Sequence, residues 1–241
     1  YAALGLGVLF FVGLTPQLSN PWRNDSRPRI VVGGKAFTEQ YLLTQLLANR
    51  LAVAGYATQK KEALGSMVIF DALRLGKIDC YVDYSGTLWF NAMKRKDVPP
   101  ADEVLEHVTT WLSGTHEIKV LGSLGFENAY AFAMQRERAN QLGIHSISDM
   151  ARVSPELTLG TDFEFLDRPD WLAVRDAYSL EFDQRLQLDP TLMYTALIED
   201  SVDVITAFST DARIDAYDLV LLEDPLRAFP PYDAVEKKKK N

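Results

Sequence analysis

The chain has few of the residues that enzymes and crosslinked domains depend on. Its 241 residues include a single cysteine, Cys80, so no intrachain disulfide can form and stability has to come from packing. Cys80 lies in the apolar run 78–82 and reads as a small buried hydrophobe. The three histidines, His107, His116 and His145, stand at no metal-ligand spacing from one another or from Cys80. No glycine-rich loop of the dinucleotide or phosphate type opens a predicted helix, and no nucleophile elbow is present. These residues suggest no cofactor, no metal and no catalysis. Positive charge is also short, with 25 Lys and Arg against 33 Asp and Glu and a formal net charge of -8. That balance argues against the basic stripe of a nucleic-acid surface.

Long apolar runs are confined to the first residues. Residues 1–14 (YAALGLGVLFFVGL) are short for a complete membrane crossing. They read as the end of a transmembrane helix, with a signal-peptide core as the alternative. Residues 15–28 (TPQLSNPWRNDSRP) hold three prolines and read as a linker. Residues 236–241 (EKKKKN) have no apolar periodicity and read as a disordered tail.

The body between them is that of a folded protein, 47% hydrophobic and long enough for one large domain or two lobes with cores of their own. Short strands alternate with helices, which implies a mostly parallel sheet in each lobe. Strand 29–33 leads to a helix capped by Thr38, with Leu42, Leu43, Leu46, Leu47 and Leu51 at helical spacing. Strands 118–122 and 128–134, joined by a turn at Gly125, are expected to open the second lobe.

Two stretches 124 positions apart repeat one device. FDALRLGKIDCYVDYS (70–85) and YTALIEDSVDVITAFS (194–209) share an aromatic residue, Ala, Leu, Asp, a second aromatic and Ser at matching places. Each reads as a helix end, a turn, a strand, and a ring where the strand runs out. Open α/β sheets bind ligands at the carboxyl ends of their strands, so two such units suggest two lobes offering rings to one cleft. Asp79 and Asp203 stand just before the strands, where turn capping outweighs acid–base work. Other predicted strand ends also carry rings beside amides and hydroxyls: Phe37, Tyr130, Phe163, Phe165, Phe229 and Tyr232. Rings without paired charges suit a methylated ammonium ion, which has no hydrogen to donate; each desolvated ring contributes roughly 1–2 kcal/mol.

Six segments occur in an order that resembles a known family: KAFTEQYLLTQLLANRL, GKIDCYVDYSGT, FENAYAFAM, GTDFEFLDRPDW, AFSTDARI and LVLLEDPLRAFPPYDAV. They are similar to the substrate-binding proteins of glycine betaine, choline, carnitine and proline-betaine ABC importers, in the branch that includes proteins fused to their permease. The likeness spans residues 29–235.

The resemblance implies an α/β, two-lobed periplasmic-binding-protein fold of type II that closes on its ligand by hinge motion. Lobe 1 would hold 29–117 and lobe 2 would hold 118–206. Residues 207–235 would return to lobe 1, and because the family pattern runs on past them that return reads as truncated. Tyr84 and Thr87 of DYSGT would line the pocket from one lobe. Asn128 and Tyr130 of ENAY would approach from the other, with Phe208 and Thr210 of AFSTD. Gln40 of FTEQ would touch the polar end of the ligand, and Tyr232 of FPPY would add a ring.

The implied ligand is a quaternary ammonium osmoprotectant. The implied partners are an ABC permease, in the same polypeptide or apart, its ATPase, and a membrane reached through the N-terminal segment. The implied place is the bacterial cell envelope, with the binding domain on the periplasmic or extracellular side. An amino acid or an ergothioneine-like ligand, or a sensing role without transport, are the alternatives. Two departures bear on specificity. Phe208 stands where the family has Tyr, which keeps the π face and removes a hydroxyl. Met67 stands where relatives carry a polar residue.

Overall fold

Ten strands form two five-stranded sheets in the computed structural model, which describes residues 26–239. In chain order they are β1 (Arg29–Lys35), β2 (Ala57–Leu64), β3 (Cys80–Tyr84), β4 (Ile118–Glu127), β5 (Tyr130–Gln135), β6 (Thr158–Thr161), β7 (Gln184–Gln187), β8 (Val204–Phe208), β9 (Leu219–Leu221) and β10 (Asp233–Lys239). The first sheet is ordered β2-β1-β3-β10-β4 and the second β7-β6-β8-β5-β9. Both sheets are mixed: in each, four strands run in one direction and one, β10 or β5, runs antiparallel between two of them. Helices cover the sheets, giving the two-lobed α/β architecture.

The internal repeat occupies the same place in both lobes. Helix α2 (Ser66–Arg74) feeds β3, and helix Leu192–Ile198 feeds β8. Asp79 and Asp203 then make the same clasp. Asp79 Oδ2 accepts from Val31 N–H at 2.7 Å, and Asp79 N–H donates to Val31 O at 2.8 Å. Asp203 Oδ2 accepts from Thr158 N–H at 2.9 Å, and Asp203 N–H donates to Thr158 O at 3.0 Å. Each aspartate thereby pins the start of its strand to the neighbouring parallel strand, β1 for β3 and β6 for β8.

The lobe boundaries differ from those read in the sequence. β4 stays in the first sheet through Glu127, paired with β10, and the chain enters the second sheet only at β5. Residues 118–127 and 130–135 form no hairpin, because each is satisfied by a partner distant in sequence. β8 and β9 both belong to the second sheet, so the return to the first lobe falls after Leu221 and not at 207. Residues 236–239 are no disordered tail. They complete β10, which lies between β3 and β4, and Lys237 is fully buried there because Asp83 receives its ammonium at 2.8 Å. A charged side chain tolerates such burial only with a partner of this kind. The expectations for 1–14, for 15–25 and for 240–241 lie outside the described residues. Among the described residues no helix is long and apolar enough to cross a membrane.

Helix α1 (Thr38–Val53) sits closer to its sheet than a leucine face would allow. Its buried positions are Gln40, Thr44 and Ala48, while Leu42 and Leu46 face solvent. The reason lies in β1: a Cβ on Gly34 would meet Thr44 Oγ1 at 2.3 Å, and the Thr44 hydroxyl donates to Gly33 O at 3.1 Å. Gly34 lets a narrow, polar helix face approach the strand. This places Glu39 and Gln40 at the carboxyl end of the first sheet.

Candidate functional site

The carboxyl ends of β1, β3, β6 and β8 open into one cleft of about 340 Å³ between the sheets. Ligand crevices form at this place in open α/β sheets because the loops there diverge. β1 delivers Lys35 and Phe37, and β3 delivers Tyr84 with Thr87 one turn later. The crossing into the second lobe delivers Asn128 and Tyr130, β6 is followed by Asp162, Phe163 and Glu164, and β8 ends in Phe208. Tyr232 arrives on the segment leading into β10. It is held close because Gly86 leaves room for the Pro231 carbonyl, which a Cβ would meet at 2.6 Å.

Six of the eight residues expected to touch ligand line this cleft: Tyr84, Thr87, Asn128, Tyr130, Phe208 and Tyr232. Gln40 does not reach it. Its side chain is wholly buried behind Tyr84, where Oε1 accepts from Lys35 N–H at 3.2 Å and Nε2 donates to Val82 O at 3.1 Å and to Tyr84 Oη at 3.0 Å. Thr210 also lies off the wall, with its hydroxyl donated to Glu39 Oε2 at 2.5 Å. Met67 faces solvent at 39% exposure and does not line the cleft; its neighbours Gly65 and Ser66 do. The Met therefore has no direct hold on ligand choice.

The rings form a continuous wall. Phe37 lies between the two repeat aromatics, stacked on Phe208 at 4.5 Å and tilted to Tyr84 at 6.1 Å. Tyr130 packs against Phe208 at 4.9 Å and Tyr232 at 6.1 Å. Phe37, one of the rings at predicted strand ends, was not among the residues expected to touch ligand.

The expectation of rings without paired charges does not hold. Arg168 is buried with its guanidinium 4.9 Å from the Tyr130 ring centroid. Its Nε donates to Asp170 Oδ2 at 3.0 Å and its Nη2 donates to Asp170 Oδ1 at 3.3 Å, while Nη1 lies 3.9 Å from Glu164 Oε2. Nη2 also reaches Thr87 Oγ1 of the opposite lobe at 3.4 Å. Burial works against this charge, but Asp170 outweighs it and the guanidinium stays charged. Lys35, also buried, donates to Asp83 Oδ1 at 2.6 Å. Burial opposes the Asp83 charge too, yet Lys237 and Lys35 hold its carboxyl well below the usual range.

The negative side of the cleft is Asp162 and Glu164. Asp162 Oδ2 accepts from the Tyr130 hydroxyl at 2.8 Å, and Oδ1 accepts from the Glu164 and Phe165 N–H groups at 2.7 and 3.0 Å. Burial raises its pKa. Glu164 reaches across the cleft to Ser66, accepting from its N–H at 2.9 Å and its hydroxyl at 2.8 Å. The phenols of Tyr84, Tyr130 and Tyr232 are all shifted up, chiefly by burial, and remain O–H donors. Such a cleft can hold a small molecule that carries both signs of charge.

Residues 28–237 match the family model described as the substrate binding domain of the ABC-type glycine betaine transport system. The chain belongs to this family. It is a family of solute-binding proteins of ABC importers and not of enzymes. The chain is 33% identical to a glycine-betaine-binding protein of Pseudomonas aeruginosa over 84% of this chain and 69% of that one. It is 31% identical to the ergothioneine transport permease/ergothioneine binding protein EgtU of Helicobacter pylori, over 95% of this chain but only 42% of that one. A crystal structure of a glycine betaine/carnitine/choline ABC transporter superposes with a TM-score of 0.67 at 27% identity, covering 87% of this chain and 79% of that one.

Lys35, Asp162, Glu164 and Arg168 were missed as site residues. The signal for Arg168 was in the DRPDW segment. Proline after Arg168 opens helix Pro169–Tyr178, and Asp170 in its first turn turns back onto the guanidinium.

Proposed function

We propose that the chain is the receptor domain of an importer for a methylated zwitterion of the glycine betaine and carnitine class. The observation that carries this reading is Arg168. It is a buried guanidinium, aligned by Asp170, in a cleft whose other walls are Tyr84, Tyr130, Phe208, Tyr232 and Phe37. Arg168 with Lys35 and Thr87 would receive the ligand carboxylate, since a planar guanidinium matches a carboxylate in two contacts. The rings, with Asp162 behind Tyr130, would receive the methylated head by cation–π attraction. Choline has no carboxylate and would leave the Arg168 end unmet.

Closure of the two lobes on the ligand would then present a surface to an ABC permease powered by a separate ATPase. The name of the Helicobacter pylori relative joins permease and binding protein, which supports tethering at the cell envelope through the apolar residues 1–14. Tethering raises effective concentration and removes a diffusional step. That same name favours a second reading, in which the zwitterion is an ergothioneine-like betaine.

Calorimetry with glycine betaine, carnitine, ergothioneine and choline tests both readings. Binding of a zwitterion at micromolar to millimolar concentration, with choline at least about tenfold weaker, is the expected result. Unchanged binding in both Tyr84→Ala and Tyr130→Ala would displace the site from this cleft.

A further inference from the structure

Helix α2 belongs to the first lobe, yet its amino terminus is capped from the second. Its own N-cap residue, Gly65, offers no side-chain acceptor, and no acidic residue stands in its first turn. The free N–H groups of a helix start need an acceptor, and the positive end of the helix favours a carboxylate. Glu164 supplies it from 98 positions away, with Oε1 accepting from the Ser66 N–H at 2.9 Å and Oε2 from the Ser66 hydroxyl at 2.8 Å. The Glu164 backbone is held in turn, its N–H donating to Asp162 Oδ1 at 2.7 Å just beyond β6. The approach is close. A Cβ on Gly65 would meet Glu164 Oε1 at 2.6 Å, although the extended backbone there (φ -67°, ψ 157°) suits any residue. Glycine at 65 therefore serves the carboxylate and not its own conformation. The Glu164 side chain is 41% exposed, so this contact lies at the edge of the cleft, where parting of the lobes hands both partners to water.

We infer that Glu164 is a positioning residue for ligand binding, the clasp that holds the lobes together over the cleft, with the amino terminus of α2 as its seat. The inference rests on the reading of the cleft as a site that closes on a solute, and it names the contact that sets how firmly it closes. A bond made only in the closed form stabilises that form alone, so it adds to the affinity of every ligand by the same factor. Two other roles would leave different marks, because Glu164 Oε2 also lies 3.9 Å from Arg168 Nη1. If Glu164 aligned Arg168 for the ligand carboxylate, its loss would harm only ligands that carry one. If it competed with that carboxylate for Arg168, its loss would tighten binding.

Calorimetry on the full chain with glycine betaine, carnitine and choline separates these roles. Glu164→Ala should weaken each ligand that wild type binds by about three- to thirtyfold, and by a similar factor for all of them. A loss confined to ligands with a carboxylate, or a gain in affinity, overturns the inference. Gly65→Ser removes the clasp without uncapping the helix. Its hydroxyl gives α2 an N-cap of its own, while its Cβ displaces the Glu164 carboxylate. The melting temperature should hold or rise while affinity falls as in Glu164→Ala. The double variant should bind no more weakly than Glu164→Ala alone, and additive losses would mean that the two positions act separately and no clasp exists. Hydrogen exchange without ligand gives a readout independent of solute. The Ser66 amide should exchange faster in Glu164→Ala than in wild type, and equal rates overturn the inference. Failure of every ligand to bind counts against the zwitterion reading alone, and the exchange rates then decide the clasp.

Discussion

Glu39 in the first turn of α1 and Thr210 beyond the end of β8 are joined across the lobes by a 2.5 Å hydrogen bond from hydroxyl to carboxylate. The other oxygen of the same carboxylate holds the Tyr84 hydroxyl and the Asn128 amide, both on the cleft wall. One group thus ties the ligand-facing wall to the contact between lobes. Thr210→Val removes only the bridging arm. It should weaken ligand binding by about two- to tenfold, the range of one partly exposed hydrogen bond, with little change in melting temperature. Small-angle scattering should show a larger radius of gyration without ligand. An unchanged affinity and an unchanged radius would mean that the bridge has no part in closure.

The two repeat aspartates are expected to be interchangeable in energetic terms. Asp79→Ala and Asp203→Ala each remove one carboxylate that accepts a backbone N–H at a strand start. Each should destabilise the fold by about 1 kcal/mol, a modest figure because both sites are partly open to water. The two lie in different sheets and share no partner, so the double variant should lose about the sum. Urea denaturation measures all three. A loss at one aspartate several times that at the other would show that the matching sequences do not do matching work.

Much of this architecture was legible in the sequence, and the failures have a common physical origin. The repeat exposed the paired helix–strand units, because a ring after Asp and three apolar positions reports strand end, strand and cap at once. The family resemblance named the six pocket residues, and four of them, Tyr84, Tyr130, Phe208 and Tyr232, were also visible as rings at predicted strand ends. The place of β10 between β3 and β4 could not be read, since pairing of residues 233–239 with 80–84 and 118–127 is a fact of topology. Lys237 looked like tail because its neutralising partner, Asp83, is 154 positions away. Arg168 was passed over for the same reason: its own segment shows a charged helix start, and only the fold brings Tyr130 and Thr87 to it. Leu42 and Leu46 misled in the opposite direction, since periodicity finds an apolar stripe but not the close approach at Gly34 that selects a different face.

Arg168 separates a carboxylate site from a simple aromatic cage. Arg168→Lys keeps the charge but loses the fork and the bidentate grip on Asp170. Glycine betaine should bind about 10- to 100-fold more weakly, while choline is little affected. Stability should fall as well, by about 1–3 kcal/mol, because Asp170 is fully buried and keeps only the Tyr232 hydroxyl and a 3.5 Å contact with Asn91. If glycine betaine binding proves insensitive to this change, the carboxylate does not sit at Arg168.

Lys237 gives the fold an unusual response to alkali. Its pKa is lowered from 10.5 to about 8, first by burial, with the Asp83 carboxylate opposing that shift and Lys35 adding to it. Between about pH 8 and 10.5 the unfolded chain therefore binds more protons at this residue than the folded chain. Stability rises with pH wherever that is so, and from pH 8 to 9.5 the gain from Lys237 is about 2 kcal/mol. The buried phenols act with the opposite sign, since their raised pKa values make the folded chain the better proton binder above about pH 10. The window to examine is thus below pH 10. Lys237→Met preserves most of the side-chain volume and leaves Asp83 its bond to Lys35. Denaturation of both forms at pH 7.5 and 9.5 should show wild type gaining stability relative to Lys237→Met as pH rises. A constant difference between the two would mean that Lys237 carries its ordinary proton inside the sheet.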